Sequence, residues 1–353
     1  MNIKQIAPLL LAAAAANFCA ASSAPAEEDM AAYLMVYHSD DTHSLHMALS
    51  RDGYTFTALN DGAPVIAGDS IADQRGIRDP HIFRGPDGAF YLSMTDLHIF
   101  ARREGFRSTE WERPGEEYGW GNNKGLVLMK SFDLINWKRA NLRFDTLSDE
   151  WSDIGCAWAP ELTYDAGRGK LMLYLTMRHA NQPNKLYYAY INDDFDTLET
   201  LPQILFQHPD GKTSAIDGDI IKVGDRYILS YVAHEEGGGI KQAVSDRPDG
   251  GWQYNPRWID FEPKACEAPN VWKRIGEDKW VLMYDIFSIN PHNFGFVETS
   301  DFETFTNLGH FNEGVMKTTN FTSPKHGAVV TLTAAEADRL LSHWAANPHP
   351  FTR

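Results

Sequence analysis

Ser131-Phe132-Asp133-Leu134-Ile135-Asn136-Trp137 sets a hydroxyl residue, an aspartate two positions on and then large apolar groups in a row. An aspartate in that place accepts hydrogen bonds from the backbone two and three residues further along, closing a tight turn, while the apolar group plugs it from the inside. The arrangement returns at 50–56 (SRDGYTF), 192–198 (NDDFDTL), 245–252 (SDRPDGGW) and 300–305 (SDFETF), at intervals of roughly 50 to 80 residues. Between the copies lie hairpins of alternating apolar and polar residues around Gly-rich turns, at 79–95, 160–177, 217–233 and 268–286, followed by a single strand at 327–332. Hairpin plus turn makes a unit of about four strands, the blade of a β-propeller. The fifth unit is split, and 33–38 and 44–49 at the other end of the chain supply its missing strands. Thr333 and Glu336 form a capping box that opens a short helix over 334–344. The expectation is an all-β, five-bladed β-propeller closed by its own termini, one domain over 25–353.

The first 24 residues read as a cleaved secretory signal: Lys4, an apolar run over 6–16, small residues to Ala24, then Glu27, Glu28 and Asp29. The expected product is secreted or periplasmic. With 353 residues, 32 Lys+Arg against 48 Asp+Glu and a net charge of −16, nucleic acid and anionic membrane surfaces are poor partners. Past residue 24 only Cys156 and Cys266 remain, paired or free. Ten Trp, 14 Tyr and 19 Phe suit both inter-blade packing and stacking on sugar rings. Between Asp96 and Lys124 an insertion carrying Arg107, Trp111, Trp120, Asn122 and Asn123 breaks the blade pattern, and we read it as a rim of the binding site.

The innermost strand of each blade runs along the propeller axis, so the strand starts converge on one mouth. We place Asp79, Glu161, Asp217, Glu267 and His326 there. Hydrolysis of a glycosidic bond needs one carboxylic acid to protonate the leaving oxygen and one carboxylate to activate water or attack. A third carboxylate raises the acid's pKa by repulsion.

The series Arg78-Asp79-Pro80, Trp158-Ala159-Pro160-Glu161, Ala215-Ile216-Asp217-Gly218 and Glu267-Ala268-Pro269, ending in Lys325-His326-Gly327, resembles glycoside hydrolase family 43 over almost the whole chain past the signal. The resemblance implies an inverting glycosidase with Asp79 as general base, Glu267 as general acid and Asp217 as pKa modulator. It implies that no cofactor is required, with His326 as the axial histidine that in many members supports a metal, often calcium. Candidates for holding the sugar of an oligo- or polysaccharide are Trp158, Trp120, Arg78, Glu161, Arg178 and His292. The favoured activity is an exo-acting α-L-arabinofuranosidase, with β-xylosidase, β-galactofuranosidase or a non-catalytic carbohydrate-binding propeller as alternatives. A retaining fructosidase of the same architecture carries an Asn-Asp-Pro motif that this sequence lacks.

Overall fold

The computed structural model describes residues 23–347 apart from 107–112, 236 and 264; residues 1–22 of the signal segment and both Arg107 and Trp111 lie outside the described residues. Five antiparallel sheets stand around one axis. Four have four strands each, with inner strands Ile77–Arg84, Ile154–Asp165, Ala215–Val223 and Glu267–Lys273. The fifth is built from both ends of the chain: Lys325–Thr333 pairs with Met30–His38, which pairs with Leu45–Ser50 and then Thr55–Ala58. The N-terminal contribution is thus three strands rather than two, and Lys317–Thr318 adds a parallel edge.

The recurring turn sits between the third and fourth strands of each blade. Asp133 Oδ1 accepts from the N–H groups of Ile135 (2.9 Å) and Asn136 (2.7 Å), and Asp52 and Asp301 repeat the pattern. In the third copy Asn192 takes the acceptor role, and in the fourth Ser245 Oγ accepts from the N–H of Arg247 at 3.2 Å while donating to the Gly250 carbonyl. The plugging residues Leu134, Phe195 and Phe302 are buried with positive φ, so the turn's strained residue is also its anchor. Full burial of such a side chain contributes about 1.5–3 kcal/mol, which outweighs a strain of roughly 1 kcal/mol or more.

The apolar faces of neighbouring sheets meet in five buried clusters, one for each gap in the ring. The helix Ala334–Ala346 carries the expected capping box, and Arg84 holds Glu336 with bonds of 2.6 and 2.9 Å, tying the chain's end to the first blade. Cys156 and Cys266 are both buried and free. Among the described residues no helix is long and apolar enough to cross a membrane.

Candidate active site

Each inner strand breaks its ladder near the start of its run along the axis. The register shifts fall at Arg78/His81, Trp158/Glu161, Ile216/Asp219 and Glu267/Asn270, and in the closing blade at the facing Val36/His38. At each shift one non-glycine residue has positive φ: Asp79 (51°), Ala159 (45°), Asp217 (50°), Ala268 (56°) and His326 (36°). Pro or Gly follows every one of them. These five bulges define the true equivalence among the blades. It differs from the one read off the acids: Glu267 stands one residue before its bulge, and Glu161 two residues after.

A bulge frees a backbone N–H at a buried place, where leaving it unpaired costs roughly 1–3 kcal/mol. Here each is met by a side chain of the preceding blade. Asp79 donates to His38 Nδ1 (3.2 Å), Ala159 to Thr95 Oγ1 (2.9 Å), Asp217 to Thr176 Oγ1 (2.9 Å) and His326 to Asp285 Oδ2 (3.2 Å). His38, Thr95, Thr176 and Asp285 lie in the second strands, opposite the residues just before the bulges. In the third blade that position is Val232, which has no acceptor, and the N–H of Ala268 turns to Asp217 Oδ2 at 3.3 Å. Asp217 therefore substitutes for the missing polar residue and is fixed by doing so.

The bulges open on a cavity of about 300 Å³ lined by Asp79, Asp217, Glu267 and His326, with Arg78, Trp120 and Trp158 at its walls. Asp79 is held from two sides, by Thr95 Oγ1–H on Oδ2 at 2.7 Å and by His326 Nδ1 at 3.3 Å from Oδ1. Burial alone would raise its pKa, but the charge and hydrogen bond of His326, then the charges of Arg78 and His38, hold it well below the carboxylate range. Burial opposes a charge on His326 too, yet Asp79, Asp217 and Glu267 lift it to about 9. The mouth thus contains an imidazolium–carboxylate pair.

The other two acids behave oppositely. Burial, against the pull of Lys325, raises Glu267, and Asp285 adds repulsion. Burial takes Asp217 to about 7, against His326 and with repulsion from Glu267 and Asp79. Lys325 Nζ is shared between Asp285 (3.1 Å) and Glu267 (3.7 Å). An ionised carboxylate and a raised carboxyl group in one cavity are the division of labour that acid–base chemistry requires.

Trp158 and Trp120 meet edge to face, centroids 6.0 Å apart, and Trp158 Nε1 donates to Gly121 O at 2.9 Å, so the insertion is pinned to the second blade. Trp120 is 69 % exposed, a free face at the cavity wall. Arg78 lines the cavity but is committed to Asp40 at 2.5 Å.

Three expected sugar contacts lie elsewhere. Glu161 is buried below the mouth, accepting from Tyr174 O–H at 2.9 Å, because its strand position is two past the bulge. Arg178 braces the insertion: Nε and Nη2 donate to Tyr118 O, Nη2 also to Trp120 O, and Nη1 to Asn184. His292 lies 4.0 Å from Asp40, outside the cavity lining. Asn123 likewise serves structure, exchanging two hydrogen bonds with the backbone of Ala157. Residues given no role from the sequence are His38, Thr95, Asp285 and Lys325, which contact or charge the acids or the backbone beside them, Asp40, which pairs with Arg78, and His234, which lines the cavity.

At the mouth, Nδ1 of His326 is engaged by Asp79 at 3.3 Å, which leaves Nε2 as the one ring nitrogen that would serve a cation there. No step of the chemistry below runs through one.

Residues 28–338 match the sequence family described as "probable glycosyl hydrolase domain", related to glycoside hydrolase family 43. No curated protein matches the chain in sequence. Among solved structures, the chain is similar to a thermostable family-43 glycoside hydrolase (13% identity, 79% of this chain and 89% of that one, TM-score 0.56). It is also similar to an endo-arabinase from Bacteroides thetaiotaomicron (15% identity, 75% and 88%, TM-score 0.55). A third is the catalytic domain of a GH62 α-L-arabinofuranosidase from Coprinopsis cinerea (14% identity, 76% and 79%, TM-score 0.50). At these identities the likeness is one of fold.

Proposed function

The chain belongs to the glycosyl hydrolase family related to family 43, and from that premise we propose that it is an exported, inverting, exo-acting α-L-arabinofuranosidase. Asp79 takes a proton from water as that water attacks the anomeric carbon. Glu267 gives its proton to the glycosidic oxygen as the carbon–oxygen bond breaks, and solvent restores both groups. Asp217, coupled to Glu267 across the mouth, raises the acid and hydrogen-bonds the backbone beside it. His326 keeps Asp79 ionised, and Trp158 with Trp120 supplies the apolar faces for the sugar ring.

The single observation that carries this reading is the placement on the walls of one cavity of Asp79, held well below the carboxylate range, and Glu267, which burial raises. A carbohydrate-binding propeller has no use for that opposition. A cavity of about 300 Å³ is at the small end of ligand sites, and one wall comes from the insertion, which favours release of a terminal sugar over cleavage within a chain. The arabinoside names of two structural neighbours supply the sugar by analogy of fold.

The test is a panel of 4-nitrophenyl glycosides: α-L-arabinofuranoside, β-D-xyloside and β-D-galactofuranoside. Fastest turnover is expected for the first. Preference for either of the others replaces the sugar and keeps the mechanism, and binding without turnover of any glycoside refutes the enzyme.

A further inference from the structure

Two positions past the bulges the inner strands form a second ring around the axis, to which the first four blades contribute His81, Glu161, Asp219 and Asn270. Three of these side chains are partnered. Glu161 Oε2 accepts from Tyr174, Asp219 accepts from the N–H of Val271 at 2.8 Å and from Asn270 Nδ2 at 3.3 Å, and Asn270 Oδ1 accepts from the N–H of Val329. His81 is the exception. It is 6 % exposed, its Nδ1 is buried with no partner, and its Nε2 points at Glu161 Oε2 from 3.9 Å, beyond hydrogen-bond distance.

The chemistry of this ring is unusual for a core. Two carboxyl groups and an unpartnered imidazole converge from three blades, and a ligand atom from each lies within 4.8 Å of the other two. Two ligands on opposite sides of a cation at about 2.1–2.4 Å stand about 4.2–4.8 Å apart, so the cluster already has the span of a coordination sphere. Among the described residues no other group of three has this geometry.

We propose that His81, Glu161 and Asp219 bind one divalent transition cation, zinc or manganese, on the propeller axis beneath the catalytic mouth. Two carboxylates neutralise the double charge, and the imidazole favours a transition metal over calcium, which takes oxygen ligands. His81 turns Nε2 toward Glu161 and has no hydrogen-bond partner on Nδ1, so a ring nitrogen is free to give its lone pair.

A route exists on the side away from the sugar. His81, Asp219 and Asn270 face a cavity of about 480 Å³ that shares no lining residue with the catalytic one and reaches Glu27 and Arg274. It has room for the waters that complete the sphere. Because His81 and Asp219 follow Asp79 and Asp217 by two residues, the cation would clamp both catalytic strands without touching substrate.

The full chain is dialysed against zinc, manganese or calcium, one at a time, then freed of loose metal, and its content is measured by plasma mass spectrometry alongside its melting midpoint. About one equivalent and a midpoint raised by several degrees are expected. The double variant E161Q/D219N should retain under a tenth of an equivalent, while Glu267→Gln retains as much as the native chain. Should the double variant fail to fold, the cobalt-loaded native chain and His81→Gln are compared by visible absorption, where loss of the nitrogen ligand moves the bands. Retention of calcium alone, no retained metal, equal retention by the double variant, or unmoved cobalt bands in His81→Gln would overturn the proposal. Metal content does not read glycosidase activity, so this outcome is separable from that of the proposed function.

Discussion

Replacing His326 by Asn removes the cation that stands 3.3 Å from Asp79 while leaving a polar side chain of similar reach. The lift of His326 from 6.5 to about 9, at roughly 1.4 kcal/mol per pH unit, corresponds to about 3 kcal/mol of attraction to the acids of the mouth. The sign follows from linkage. A histidine raised on folding contributes fully below its unfolded pKa of 6.5, and the contribution is lost as pH rises through 9. Asp79, lowered on folding, contributes above its unfolded value of 3.8 and loses that as acid protonates it. The pair is therefore strongest between about pH 4 and 6.5. Urea unfolding of the native chain and His326→Asn should differ by about 3 kcal/mol at pH 5.5 and by little at pH 10. Activity should fall as well, because Asp79 without its partner is protonated at higher pH and the acid limb of kcat/KM moves up. A stability difference that is the same at both pH values would refute the ion pair and leave His326 a packing residue.

Glu267→Gln should lower turnover of an unactivated arabinoside by about 10²–10⁴, with a smaller loss on the nitrophenyl glycoside, whose leaving group needs little protonation; equal losses on both would argue against Glu267 as the acid. Asp285→Asn leaves Lys325 to Glu267 alone and removes a repelling charge, so the alkaline limb of the kcat/KM profile should shift to lower pH, with circular dichroism as the fold control. Trp120→Ala should raise KM by about tenfold with the melting midpoint unchanged, since the ring is largely exposed. Arg178→Ala should lower the midpoint and raise KM together, because the carbonyls of Tyr118 and Trp120 lose their donors, each costing about 1–3 kcal/mol if left buried.

The fold was legible because its turn is chemical: an Asx or serine acceptor closes all five copies, and a buried hydrophobe plugs three of them. The three acids were legible for a related reason: Asp79 and Asp217 directly precede the Pro or Gly that follows the bulge, and Glu267 stands two before Pro269. Glu161 was misplaced because the blades were aligned on their acids. Alignment on Pro80, Pro160, Gly218, Pro269 and Gly327 puts Ala159, not Glu161, at the mouth. Arg178 shows the opposite limit, since a polar residue near a site is as easily spent on bracing backbone as on meeting a ligand. Lys325 and Asp285 left no local signal, because their effect on Glu267 arises only when strands from two blades face each other.

The central claim is that water attacks under Asp79 while Glu267 protonates the leaving oxygen from the opposite side of the sugar. The most direct measurement is the anomer of the first-formed sugar, followed by proton NMR before mutarotation on whichever glycoside of the panel is turned over. The inverted anomer is expected first, with the retained one appearing only as the solution equilibrates. A retained anomer at the earliest times would contradict it, since that outcome requires a covalent intermediate on one of the carboxylates.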